Sequence, residues 1–326
     1  MQPARKLARK SGPLAELQTA MFNFLNGGIR FQRGVLNQDP DGEINIEQVA
    51  VAALRLRDRM KNPLAPYASG WHQRIQELEE LRLDLLPQLL DFIYDKLGFW
   101  LRHEKKSDIA YLERLVDFCS EGIGVDIFSL NYDLCLETAI ADFANRKFVN
   151  GFTEDGWRPK TLVDDGTDVR LFKLHGSLDW IEDEKAYGLC SLQWPRHKDA
   201  EDIEGEHRPL LIFGTDQKLT AREPFLSLVY HFSQQLQRRS VLIVIGYSFG
   251  DEYVNEIIEQ GLRVNPKLKI ALVSPNADKR AQTIPILSRS PRVIPIPMNA
   301  RGALDKGEVK TVVRKLLKEA KEEEPF

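Results

Sequence analysis

The feature that most constrains this chain is an alternation that starts at Gly122. Short apolar runs fit strands at 125–130, 169–174, 209–213, 241–246, 269–273 and 292–296. Apolar residues at helical spacing fit helices at 133–145, 223–238, 251–263, 277–288 and 307–321. The alternation predicts an α/β fold of Rossmann-like type: a mostly parallel sheet with helices on both faces, joined by right-handed crossovers. Two stretches, 150–168 and 181–208, lack a regular pattern. The second is too long for a plain connector and is expected to hold a small hairpin or a mobile flap.

Residues 1–121 read instead as a helical subdomain. Residues 14–25 are periodic and are expected to stop at Asn26-Gly27-Gly28, and residues 46–60 form a second helix after a turn-rich stretch at 37–42. The leucine-rich stretch 73–101 contains Pro87, which predicts a kink or two helices. Ser107 and Asp108 can cap a last helix that runs to Cys119. Residues 301–326 supply a C-terminal helix whose charged end, 318–325, is expected to fray.

Composition removes several function classes. With 43% hydrophobic and 29% charged residues, the 326-residue chain has the profile of a soluble globular protein with ample core. A net charge of -3 with both signs mixed leaves no nucleic-acid footprint. No apolar run approaches the roughly 20 residues of a membrane helix. No apolar leader follows the basic residues Arg5, Lys6, Arg9 and Lys10. A cytoplasmic location is therefore expected, with no direct contact to nucleic acid or membrane. Cys119, Cys135 and Cys190 include no Cys-x-x-Cys pair, so neither a zinc ribbon nor a disulfide framework is expected, and no metal site.

Four strand ends carry candidate chemistry. In an open α/β sheet, ligands sit just beyond such ends. The stretch VDIFSLNYDLCLE, 125–137, delivers Asn131 and Asp133, short polar side chains able to meet a ribose or an amide, or simply to cap the next helix. The stretch LFKLHGSLDW, 171–180, ends a strand in His175-Gly176. That is either a general base beside a glycine that permits close approach, or a satisfied polar residue at the core edge. The stretch VLIVIGYSFGDEYVNEII, 241–258, passes from an all-apolar strand through Gly246, Tyr247, Ser248, Phe249 and Gly250 into a helix. Such a turn offers backbone N–H groups and a positive dipole end to a phosphate. Asp251 and Glu252 at the helix start are explained by the dipole alone. The stretch IALVSPN, 270–276, ends in Ser274 and Asn276, which can hold a ribose or cap a helix. All four ends deliver small polar groups or glycine to one edge of one sheet, the layout of a nucleotide site.

The ordered set SLNYD, KLHGS, IGYSFGD and VSPN resembles the sirtuin-like family over about residues 122–300, and most nearly the sirtuin-like domains of bacterial phage-defence systems, which destroy NAD. The resemblance implies NAD as substrate, with Asn131 and His175 catalytic: Asn131 holding the nicotinamide ribose and the attacking water, His175 acting as base. It implies that Asp133 helps to position the nicotinamide end. Gly246 and Ser248 then contact phosphate or adenosine ribose and Asn276 lies near the adenosine, while Phe249 and Ser274 complete the cofactor-binding set. Protein-deacylating sirtuins carry a zinc module of two Cys-x-x-Cys pairs. Its absence from this sequence favours NAD hydrolysis, without zinc, over deacylation. The family also opens with a strand and a Gly-Ala-Gly-type loop that grips the pyrophosphate. No such stretch is found here, and a truncated or mis-set start, or loss of the first strand, is expected.

On this resemblance, residues 1–121 are the helical part of the domain and 122–300 the NAD-binding part. The function implied is an NAD glycohydrolase that yields nicotinamide and ADP-ribose in anti-phage defence by NAD depletion. The alternatives are a catalytically silent nucleotide-binding or scaffold module and an NAD-dependent protein deacylase. A toxic hydrolase needs restraint, so a homo-oligomer is expected, or a partner such as an ATPase or another defence-system protein.

Overall fold

In the computed structural model of the chain, residues 13–58, 85–102, 105–163, 166–183, 188–192, 209–212 and 223–322 are described. They form two units, one up to Trp100 together with Ile212, the other from Leu101 on. The first unit is helical, with α1 (Pro13–Val35), α2 (Ile46–Arg57) and most of α3 (Leu85–Arg102). Helix α1 runs straight through Asn26-Gly27-Gly28, where the sequence predicts a stop. A helical glycine costs roughly 1 kcal/mol relative to alanine, and burial of Met21, Phe22 and Leu25 in the same helix offsets it. A capping box opens α2: Gln48 N donates to Asn45 Oδ1 at 2.8 Å, and Asn45 N donates to Gln48 Oε1 at 3.1 Å. Pro87 is the third residue of α3 as described, and the helix continues past it to Arg102. The rest of the leucine-rich stretch, 73–84, lies outside the described residues.

The second unit begins with a single turn, Lys106–Ile109, that tightens into a 3₁₀ helix, Ala110–Glu121. Neither Ser107 nor Asp108 caps it: Lys105 stands at the cap position and makes no side-chain bond there. Then come β1 (Val125–Ser129), α4 (Cys135–Thr138), the short strands β2 (Phe152–Thr153) and β3 (Gly156–Trp157), and β4 (Val169–Lys173). Next are β5 (Trp180–Asp183), β6 (Gly188–Ser191), α5 (Phe225–Arg238), β7 (Val241–Ile245), α6 (Glu252–Val264) and β8 (Lys269–Val273). The order closes with α7 (Ala277–Thr283), α8 (Pro285–Ser288), β9 (Val293–Ile296), α9 (Ala300–Asp305) and α10 (Glu308–Glu322).

The architecture is mixed α/β with parallel pairing, as the alternation predicts. Strands β1 and β4 pair in parallel from Val125↔Val169 to Ser129↔Lys173, and β7, β8 and β9 form a second parallel ladder. Among the described residues the two ladders share no strand-to-strand hydrogen bonds. They nevertheless share one apolar layer, in which Val125 of β1 and Val241, Ile243 and Ile245 of β7 pack with Phe118 of the 3₁₀ helix and with Val309, Val313 and Leu316 of α10. On the opposite face Phe128 stacks on Phe172, 4.4 Å between centroids, and meets Phe232 of α5 at 4.8 Å. At the N-terminal ends Asp126 joins the ladders, accepting from Arg170 of β4 at 2.5 Å and from Arg239, just before β7, at 3.0 Å.

Five of the six expected strands form. The run 209–213 does not become one: among the described residues Leu211 makes only a single antiparallel bridge, to Gly176. The helix expected at 133–145 is one α-turn followed by a π-helical turn, Ala139–Phe143. Pro285 divides the helix expected at 277–288. The C-terminal stretch stays helical to Glu322. The two pattern-poor stretches each hold an antiparallel hairpin, β2–β3 and β5–β6.

Candidate active site

The strand ends at the carboxyl edge of β1, β4 and β7 supply the site. After β1 the backbone N–H of Asn131 donates to Ser129 Oγ at 3.1 Å. The side chain of Asn131 points to solvent without a protein partner among the described residues. The Tyr132 carbonyl accepts from Leu178 N at 3.0 Å, and Asp133 Oδ1 accepts from Cys135 N at 3.0 Å. Asp133 therefore does serve the start of α4, by one oxygen.

His175 lies two residues beyond β4, and its Nε2 stands 3.0 Å from Asp251 Oδ2. Both side chains are nearly enclosed, at 13% and 9% exposure, so the pair works in a medium that strengthens charge interactions. The other oxygen, Asp251 Oδ1, accepts from Val254 N at 3.3 Å and caps α6. One carboxylate thus ends a helix and orients an imidazole. With Nε2–H turned to Asp251, Nδ1 is left as the accepting nitrogen, an assignment made from the partner. The Tyr132 ring lies 6.4 Å from the imidazole, which brings the turn bearing Asn131 beside it. Sequence reading treats Asp251 only as a dipole partner, because nothing local links it to a histidine 76 positions earlier.

The 246–250 loop is held from below. The Tyr247 hydroxyl sits 3.0 Å from the Asp251 carbonyl and 2.8 Å from Asn255 Oδ1. Burial, reinforced by Asp251, pushes the phenol well above its ordinary range, so it keeps its proton. Phe249 occupies the left-handed region at φ 61°, unusual for a bulky residue. It is held there by Asn255 Nδ2, which donates to its carbonyl at 2.9 Å, and by its ring, 4.6 Å from that of Tyr247. Ser248 is exposed, its hydroxyl accepting weakly from Gly250 N at 3.4 Å.

After β8, Ser274 is buried and accepts from Asn276 N at 3.4 Å, while Asn276 is exposed at the start of α7 and makes no side-chain cap bond. Arg280 of α7 donates to the Tyr247 carbonyl at 3.1 Å, which ties this strand end to the 246–250 loop. Arg280 brings a cation beside that loop. Its position four residues after Asn276 is the only sequence signal that could have suggested it.

Beneath the site lies a buried polar cluster. Lys173 and Glu137 are 1% and 4% exposed and pair at 3.4 Å, and Lys173 also donates to the Asp133 carbonyl. Burial drives the Glu137 carboxyl up to about 7; Lys173 opposes the rise, and Asp179 and Asp133 add to it. A carboxyl held neutral in the fold contributes stability that is complete below its unfolded value and is lost as pH rises through its folded one. Between the reference value of 4.5 and about 7, the chain should lose stability relative to Glu137→Gln. Urea midpoints measured across that window for both proteins check this; parallel profiles would remove Glu137 as the cause.

Among the described residues no group of three or more His, Cys, Asp or Glu could hold a metal ion, and no helix is long and apolar enough to cross a membrane. A family model described as a SIR2-like domain matches residues 125–292. No curated protein matches the chain. Among similar solved structures is a complex of a mutant Sir2 homologue with ADP-ribose, 14% identical, covering 74% of this chain and 80% of the other, TM-score 0.38. A structure of Sir2 enzymes bearing on their mechanism and regulation is 13% identical over 70% of this chain and 80% of the other, TM-score 0.41. A second mutant Sir2 homologue with ADP-ribose is 16% identical over 71% and 79%, TM-score 0.40.

Proposed function

Since the chain belongs to the SIR2-like domain family, we propose that it is an NAD glycohydrolase, cleaving the nicotinamide–ribose bond to give nicotinamide and ADP-ribose. The observation that carries this reading is the pair His175 and Asp251, 3.0 Å apart, beside the turn with the exposed Asn131.

The bond to be broken joins ribose C1′ to a pyridinium nitrogen. Its electron pair goes to that nitrogen and positive charge grows on the ribose, as in glycoside cleavage. Nicotinamide leaves neutral, so no general acid is needed. Water adds its oxygen to C1′ and gives one proton to His175 Nδ1, and Asp251 stabilises the imidazolium. The Asn131 amide orients that water, and Asp133 lies toward the nicotinamide end. Gly246, Ser248 and Phe249 flank the phosphates or the adenosine ribose, with Ser274 and Asn276 toward the adenosine. The likeness of the motif set to phage-defence domains extends the proposal. NAD depletion then serves anti-phage defence in a bacterial cell, restrained by a homo-oligomer or by a partner such as an ATPase.

The test is NAD consumption by the purified chain with product identification. Wild type yields equal nicotinamide and ADP-ribose, and Asn131→Ala and His175→Ala each lose on the order of 10²-fold or more. NAD binding without turnover would leave the silent binding module. A requirement for an acyl-lysine peptide would mark a deacylase.

A further inference from the structure

We propose that Lys173 is a positioning residue for this cleavage: its ammonium, by donating to the Asp133 carbonyl, holds the 131–133 turn in place beside His175. The inference rests on the hydrolase reading and adds to it a residue that touches no substrate.

Lys173 is the last residue of β4, with a side chain 1% exposed. His175 follows two residues on, inside the turn that Gly176 N closes on the Lys173 carbonyl at 3.2 Å. The end of β4 therefore anchors the turn that bears the base and, through the Lys173 side chain, reaches the turn that carries Asn131. The same turn is tied by three further bonds: Asn131 N donates to Ser129 Oγ, Leu178 N to the Tyr132 carbonyl and Cys135 N to Asp133 Oδ1. Since the Asn131 side chain has no protein partner among the described residues, its position is inherited from this backbone. A buried ion pair is poor as a device for stability alone, because apolar residues of like volume often do as well. What no apolar residue can do is donate to a main-chain carbonyl. The cluster is also charge-rich for its depth: Glu137 Oε2, Ser177 Oγ and Asp179 Oδ1 are buried without hydrogen-bond partners among the described residues. Such an arrangement is retained for its geometry.

The experiment compares wild type, Lys173→Met and Lys173→Met/Glu137→Gln. The single variant leaves Glu137 buried and unpaired and loses both melting temperature and kcat. The double variant replaces that stranded carboxyl with a neutral amide and recovers melting temperature, yet its kcat stays about 10²-fold low, the loss expected from roughly 1 Å of misplacement, with KM little changed. Reaction in aqueous methanol supplies a second readout. The alcohol oxygen adds to C1′ in place of water and its proton goes to His175. A displaced Asn131 turn raises the share of methyl ADP-ribose over ADP-ribose. Recovery of kcat together with melting temperature, or an unchanged product ratio, would reduce Lys173 to a structural role. Were wild type to show no turnover at all, the hydrolase reading would fall. Amide exchange at Tyr132 and Asp133 then still decides the point: faster exchange in the double variant sustains the tie, and unchanged exchange ends it.

Discussion

Asp251→Asn should lower kcat for the proposed NAD cleavage by about 10²–10⁴-fold, the range of a lost general base, while leaving the melting temperature close to that of wild type. The two halves of this result come from the two oxygens of one carboxylate. Asparagine caps a helix as well as aspartate does, so the 3.3 Å bond from Val254 N to Oδ1 survives and α6 is undisturbed. The other oxygen, 3.0 Å from His175 Nε2, becomes an amide NH₂ that can donate. The imidazole then turns Nε2 into its acceptor and carries the proton on Nδ1, where the attacking water needs a base. The negative charge that steadies the imidazolium is lost as well. Asp251→Ala serves as the control, because it removes the cap too and should cost about 1 kcal/mol of stability. Measured kcat and melting temperature for both variants decide the matter. Asp251→Asn activity within tenfold of wild type would confine Asp251 to capping and leave His175 without its orienting partner.

The fold was legible wherever a strand is mostly apolar and β-branched or aromatic. Strands β1, β4, β7, β8 and β9 fall within a residue or so of where their sequences put them, because strands covered on both faces have no polar side to blur the pattern. The run 209–213 is just as apolar, but among the described residues it makes one bridge, to Gly176, and one backbone bond, from Leu210 N to the Trp180 carbonyl; pairing is a tertiary fact that a five-residue window does not hold. Helix α1 passes through a glycine pair because buried neighbours outweigh propensity, which is a weak prior. The candidate site was half legible. The sequence puts Asn131 and His175 at strand ends, and there they lie. Asp251 was read only as a dipole partner at a helix start; it caps α6, and its place beside His175 requires the β4 and β7 ends to converge. Lys173 reads as an ordinary strand residue until Glu137 and the Asp133 carbonyl are seen around it. Arg280 sits on a short helix, marked in sequence only by its place four residues after Asn276.

Two glycines of the site, both in the left-handed region, give opposite outcomes when a methyl group is added. At Gly176, φ 93°, a Cβ would lie 2.0 Å from the Leu210 carbonyl oxygen, so Leu210 and Leu211 must be pushed off the turn beside His175. Left-handed strain of about 1–3 kcal/mol and overpacking of about 1–3 kcal/mol together put Gly176→Ala at roughly 2–6 kcal/mol, close to the whole stability of many domains. At Gly246, φ 67°, no atom of the described residues beyond its two chain neighbours lies within 4 Å of the added position. Gly246→Ala therefore bears only the strain of a left-handed residue, about 1–2 kcal/mol. Its methyl group projects into open space at the β7 end, where the proposed function seats NAD, so KM for NAD should rise well beyond what the small stability loss explains. Denaturant midpoints rank the two variants, and NAD titration separates them. A Gly246→Ala protein with unchanged KM would move the dinucleotide away from the β7 loop, and a Gly176→Ala protein as stable as wild type would mean that the Leu211 bridge is free to leave.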